Sequence, residues 1–195
     1  MPMARKEETP ARQRIVEAAG QMLRSRGYAE ASLRDIVEAA NAPWGSLQHY
    51  FPGGKQQLAI EAMELGREEV SAFIDSAFER THSAEGAMNW FFDASCQVLE
   101  ETDYEFGCPV ATVALERSAI TDEVAGAATG ALEEWVDHFA AGFRGDGIGA
   151  RPARRLATGV LNQYEGALLM ARSTQSLDSM RTAKSLVRTM IDAAR

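Results

Sequence analysis

Apolar positions along the chain recur at spacings of three and four rather than two, the period of amphipathic helices and not of strands. Ile15, Ala18, Ala19, Met22 and Leu23 share one face, with Thr9 and Pro10 placed as N-cap and first helical residue. With Gly27 as the stop, this pattern predicts a helix over about 10–26. Ser32 is placed to cap a short second helix carrying Leu33, Ile36, Val37 and Ala40, ended by Asn41-Ala42-Pro43. A third short helix is expected from Trp44 to Phe51, closed by Pro52-Gly53-Gly54. Two short helices joined by a tight turn behind a longer one make a helix-turn-helix arrangement.

From Lys55 a long apolar stripe runs through Leu58, Ala62, Leu65, Val70, Phe73, Ile74 and Ala77 to about His82, and connects this head to the rest. Further helices are predicted from Ser83 through Leu99, from Cys108 to about Arg117, from Thr121 to the glycine-rich segment at Gly145, from Pro152 to Arg172, and over about 178–193. No alternating run rich in Val, Ile and Thr marks a strand. The expected fold is all-α, about nine helices, with a helix-turn-helix head over residues 1–55 and a helical-bundle body over 56–195.

Composition narrows the class. The 195 residues are 46% hydrophobic and 25% charged, without an apolar run long enough to cross a membrane, so no membrane partner is expected. The first residues lack the apolar stretch of a secretory signal, and a cytoplasmic protein is expected. Cys96 and Cys108 are too few for a disulfide scaffold, and neither they nor His49, His82 and His138 have metal-ligand spacing, so no metal or cofactor is expected. The net charge of −8 is unevenly placed: residues 1–55 hold eight basic and six acidic residues, a balance of +2, and the remainder carries −10. A basic head on an acidic body suits a protein that presents one end to a polyanion.

Residues 32–55 carry the most specific pattern. Gly45 and Ser46 are small enough for close backbone approach to a groove, and the Ser46 hydroxyl can donate to phosphate or base. Gln48 has the paired donor and acceptor that match the adenine N6/N7 edge, although a solvated glutamine is the plain alternative. His49 and Tyr50 suit phosphate better than base, while Leu47 and Phe51 suit the interior of the head. Ser32 caps a helix start, where N–H groups could meet phosphate, and Thr9 does the same for the first helix. Arg34 stands in a first turn, where a cation is unfavourable unless an anion joins it. Lys55 is analogous, and Arg5 and Lys6 could form an arm. Each is individually compatible with a solvated surface; their clustering is the argument.

The run Gly45-Ser46-Leu47-x-His49-Tyr50-Phe51-Pro52 closely resembles the DNA-binding head of the TetR family of bacterial repressors, over about residues 10–58. Phe51-Pro52-Gly53-Gly54-Lys55, Gly107-Cys108-Pro109-Val110-Ala111 and Glu165-Gly166-Ala167-Leu168-Leu169-Met170-Ala171-Arg172 are similar to the LmrA/YxaF-like subgroup. Trp44 stands where the family usually has a small or basic residue and Gln48 where it is usually aromatic, so base preference does not carry over. Trp44 could contact a thymine methyl, lie on sugar, or cover the turn. The resemblance implies a dimer on a palindromic DNA operator and a small-molecule effector bound in the body.

For that effector site the sequence nominates Trp90, Phe91, Cys96, Trp135, His138, Phe139, Asn162 and Glu165, which mix aromatic walls with hydrogen-bonding groups. The stripe from Val124 to Phe143 reads as core more readily than as pocket. Gly159, Gly166, Ala167 and Ala171, with Leu186, Val187, Met190 and Ile191, form the expected homodimer surface, the alternative being close packing inside one chain. A competing class, an all-α enzyme using Glu165 and His138 for acid–base chemistry, lacks any nucleophile elbow or phosphate-binding loop. A DNA-binding protein without an effector is a third reading.

Overall fold

The computed structural model describes residues 10–195, and within them nine α-helices and no strand. Thr9, Arg5 and Lys6 lie outside the described residues. The first helix, α1 (Ala11–Glu30), is interrupted at Gly27, whose φ of 80° and ψ of −175° break the helical run where the sequence placed the stop. α2 (Leu33–Ala39) starts at Ser32, whose hydroxyl accepts from the Asp35 N–H at 3.1 Å. Its C-terminus is held by Arg14 of α1, which donates to the Ala40 and Asn41 carbonyls at 3.0 and 3.2 Å. That bond fixes the turn before α3 (Trp44–Tyr50). Ile15, Val16 and Ala19 of α1, Ile36 and Val37 of α2, and Leu47 and Phe51 at α3 close a small core.

α4 (Gly54–Thr81) is one unbroken helix of 28 residues. Its first turns, through Leu58 and Ala62, complete the head's core, and its later turns, through Ile74 and Ala77, belong to the body. Head and body are therefore joined by a rod rather than a linker. α5 (Ala84–Glu101) begins at Ser83, which accepts from the Gly86 N–H at 3.1 Å, and α7 (Asp122–Gly145) begins at the predicted Thr121 cap. α8 (Ala150–Thr174) and α9 (Asp178–Ala194) pack on each other, α7 lies between α4 and α8, and α9 covers α5.

The helix expected over Cys108–Arg117 shrinks to α6 (Ala111–Ala114), because residues 115–119 turn to bring Glu116 to α1. The stripe on α7 is largely core, with Val124, Ala128, Trp135, Phe139 and Phe143 all buried.

Candidate nucleic-acid interface and effector cavity

On α3 the helical period separates inside from outside. Leu47 is buried, while Trp44, Gly45, Gln48 and His49 are exposed, Trp44 at 60%. A Cβ on Gly45 would meet open space, so the glycine leaves clearance for a bulky object outside the protein. His49 and Tyr50 meet edge-on at 4.9 Å between ring centres, which orients both at the helix end. Ser32 and Arg34 are exposed at the start of α2, and Arg34 and Trp44 rim one shallow hollow between α2 and α3. Six of the nine nominated residues, Ser32, Arg34, Trp44, Gly45, Gln48 and His49, are thus exposed at α2 and α3, and Ser46 and Tyr50 are half-buried on α3.

Lys55 has a second role that sequence reasoning missed. Its ammonium donates to the Ala29 carbonyl at 3.1 Å and lies 4.6 Å from the centre of the Tyr28 ring, and burial lowers its pKa. It is a tether on the α1–α2 turn, with hydrogen-bonding capacity left for another acceptor.

That turn is gripped from the body as well. The Glu116 carboxylate accepts from the Tyr28 and Ala29 N–H groups at 2.8 and 2.7 Å. The Thr112 hydroxyl donates to the Leu23 carbonyl at 2.8 Å, the Gly107 N–H to the Arg24 carbonyl at 3.1 Å, and the Arg172 guanidinium to the Ser25 carbonyl at 3.2 Å. Arg172 also reaches the Tyr104 and Glu105 carbonyls, so α8, the 104–107 segment and α1 meet at one guanidinium. A Cβ on Gly27 would collide with the Glu116 carboxylate, which makes the glycine a requirement of this clasp.

Behind the clasp lies a cavity of about 260 Å³ whose walls include Phe73, Phe91, Trp135, Phe139 and Leu168. Arg24 of α1 and Gly107, Cys108 and Pro109 also line it, so it touches the segments that hold the head. Glu165 stands in its wall. Burial pushes this carboxyl up to about 7, and its Oε1 is buried without a hydrogen-bond partner. An outer hollow of about 450 Å³ shares Gly107, Cys108, Leu161, Glu165 and Leu168 with the inner one and opens at Leu115 and Leu169.

Of the nominated effector residues, Phe91, Trp135, Phe139 and Glu165 line the inner cavity, and Asn162 the outer hollow. The other three lie elsewhere. Trp90 meets Phe73 at a tilt and has the Arg80 guanidinium over its ring, and Cys96 is half-buried on α5. His138 turns from the cavity toward α4, with Nδ1 at 2.8 Å from Asp75 Oδ1 and Nε2 at 3.7 Å from Glu134. Trp135 is a structural pillar too: it is 1% exposed and its indole N–H donates to the Arg67 carbonyl at 3.1 Å. Phe73, Ser95 and Tyr164 were missed because each reads as ordinary helix core until the neighbouring helices are placed.

The nominated dimer surface divides. Ala167, Ala171, Val187 and Ile191 are buried, and a Cβ on Gly159 would overlap the half-buried Met190, so these small residues let α9 approach α8 of the same chain. Gly166 and Leu186 face outward, as do Leu169 and Met170.

A head with an outward helix-turn-helix, joined by one rod to a helical body with an apolar cavity, defines a DNA-binding regulator, and the comparisons agree. Residues 15–62 match the profile of the bacterial regulatory proteins of the tetR family, and residues 84–186 the C-terminal domain of LmrA/YxaF-like transcriptional regulators. The chain is 32% identical over 188 residues to the uncharacterized HTH-type transcriptional regulator Rv0196 of Mycobacterium tuberculosis, covering 92% of this chain and 93% of that one. It is 32% identical over 166 residues to the HTH-type transcriptional regulator LmrA of Bacillus subtilis, covering 85% and 88%. Among solved structures, a regulatory protein TetR from Rhodobacter sphaeroides superposes with a TM-score of 0.84 at 25% identity, over 94% of this chain and 98% of that one. The chain belongs to the TetR family of bacterial transcriptional regulators. This is a family of regulators and not of enzymes, so the acid–base reading of Glu165 and His138 falls away. Among the described residues no helix is long and apolar enough to cross a membrane.

Proposed function

We propose that the protein is a cytoplasmic, ligand-responsive repressor that binds a palindromic operator as a homodimer and leaves it when a small, largely apolar effector fills the inner cavity. Residues 1–55 read DNA and 56–195 bind effector and partner. Each α3 enters a major groove, with Gln48 reading a base, Trp44, Gly45 and Ser46 lying against the groove, and Ser32, Arg34, His49, Tyr50 and Lys55 meeting the backbone. Two heads about 34–36 Å apart meet successive turns of the duplex. Gly166, Leu169, Met170 and Leu186 supply the exposed small and apolar surface for a four-helix contact between protomers.

The observation that carries the reading is the shared wall: Arg24, Gly107, Cys108 and Pro109 line the cavity while Arg24 and Gly107 also make the backbone bond between α1 and the body. A molecule there acts on the head's anchorage. It releases DNA only by binding the non-fitting arrangement more tightly, since equal affinity for both shifts nothing. Selection from random duplexes tests the operator: enrichment of an inverted repeat is expected, and recovery of no symmetric site would refute the reading. Compounds that raise the melting temperature should then dissociate the complex in a gel shift.

A further inference from the structure

Resting on the reading of the inner cavity as the effector site, we propose that the effector is a cationic amine: an aromatic body carrying a protonated nitrogen that pairs with the Glu165 carboxylate. The cavity's walls are apolar and aromatic, and Glu165 Oε1 is buried without a hydrogen-bond partner. Leaving such an acceptor unpaired is costly, and native structures satisfy nearly all of them. A hydrogen bond with the Cys108 thiol favours the charged form, but among the described residues no ion pair balances that charge.

The charged and titratable groups around Glu165 are each committed. Arg24 of α1 is closed onto Glu69 of α4 at 2.6 Å and brings no net charge. Arg172 of α8 turns Nε and Nη2 onto three backbone carbonyls of α1 and the 104–107 segment, and forms no ion pair with Glu165. Cys108, before α6, and Tyr164, beside Glu165 on α8, are held in their neutral protonated forms by burial. An anion would be repelled here, and a hydrocarbon would leave Oε1 as it is. A neutral hydroxyl would supply a hydrogen bond without the charge. A protonated amine supplies both, and its charge-assisted bond is about twice as strong as the neutral one. The neighbouring Phe91, Trp135 and Phe139 rings offer faces that attract a cation while they bury the ligand's aromatic body.

The test is a calorimetric titration of the full chain with naphthylmethylamine, naphthylmethanol and naphthoate, three molecules of similar shape and different charge. The amine is expected to bind at least about tenfold more tightly than the alcohol, and naphthoate weakest. With the carboxyl at about 7, amine affinity should also rise roughly tenfold from about pH 6 to about pH 8, while the alcohol stays level. Glu165→Gln should bring the amine to the alcohol's affinity and abolish the rise with pH. Equal affinity of amine and alcohol for the wild type would overturn the cationic assignment and leave an effector cavity standing. Tighter binding of naphthoate would reverse its sign. Binding of none of the three would overturn the assignment together with the cavity's role.

Discussion

Gly27→Ala should be among the most damaging single-methyl additions in the molecule, although Gly27 belongs to neither the groove face nor the cavity. At φ 80° and ψ −175° the backbone occupies a region that is essentially reserved for glycine, and an alanine there costs about 1–3 kcal/mol. The new Cβ also collides with the Glu116 carboxylate, which must withdraw and release the Tyr28 and Ala29 N–H groups. Hydrogen bonds to a charged acceptor contribute about 1.5–3 kcal/mol each when buried, and the Ala29 bond is exposed and worth less. The combined loss is about 3–5 kcal/mol, or roughly 6–20 °C in melting temperature for a chain of this length.

A double-mutant cycle isolates the clash. Glu116→Ala alone should cost about 1.5–3 kcal/mol, and in that background Gly27→Ala should cost only the backbone part, about 1–3 kcal/mol. Thermal unfolding followed by circular dichroism reads all four proteins. If Gly27→Ala costs the same with and without Glu116, the carboxylate does not sit where the clasp needs it and the reasoning fails.

Arg34→Ala should flatten the dependence of log K on log salt by about 0.9 for one lost phosphate contact, measured by fluorescence anisotropy on the selected operator; an unchanged slope removes it from the backbone contacts. Gln48→Ala should lose about 1–3 kcal/mol on that operator and relax selectivity at one symmetric base position, whereas uniform weakening on all sequences would make it a positioning residue. Glu165 titrates at about 7 in the fold against about 4.5 when unfolded, so the native carboxyl prefers its proton and stability should fall by about 3 kcal/mol as pH rises from about 4.5 through 7. Glu165→Gln should remove that decline and melt higher than the wild type above pH 7, and a parallel decline in both proteins would contradict the burial argument. Leu169→Glu, on the exposed face of α8, should shift the sedimenting species from dimer to monomer without lowering helicity, and a persistent dimer would place the contact elsewhere.

How much of this was legible in the chain varies with the range of the interaction concerned. Helix starts are local: Ser32, Ser83 and Thr121 each satisfy an N–H three residues ahead, which is why sequence placed them well. The face of α3 is local too, because a seven-residue helix with Leu47 inward must turn Gln48 outward. The cavity is not local. Whether Phe91 or Trp90 lines it depends on where α4 and α7 pass, and His138, polar among aromatics, turned to Asp75 because α4 offered a carboxylate on its own side. Small residues on α8 signal that some helix comes close, but composition does not distinguish α9 of the same chain from a partner's helix. The bonds by which Glu116 and Arg172 reach α1 span 87 to 147 residues, and no sequence period encodes them.

The clasp on α1 has one property of a standardised coupling: every bond in it that reaches α1 addresses main-chain atoms. Thr112, Gly107 and Arg172 donate to the carbonyls of Leu23, Arg24 and Ser25, and Glu116 accepts from the N–H groups of Tyr28 and Ala29. Backbone groups are the same in every sequence, so these bonds place no condition on the side chains of the head beyond the missing one at position 27. Mutational drift on α2 and α3 can then change the DNA sequence read without retuning the body. A body can equally acquire a new ligand while keeping its grip. The joint is suited to exchange, and chimaeras that swap the whole head over residues 1–55 while keeping Gly27 are where such interchangeability would be found first.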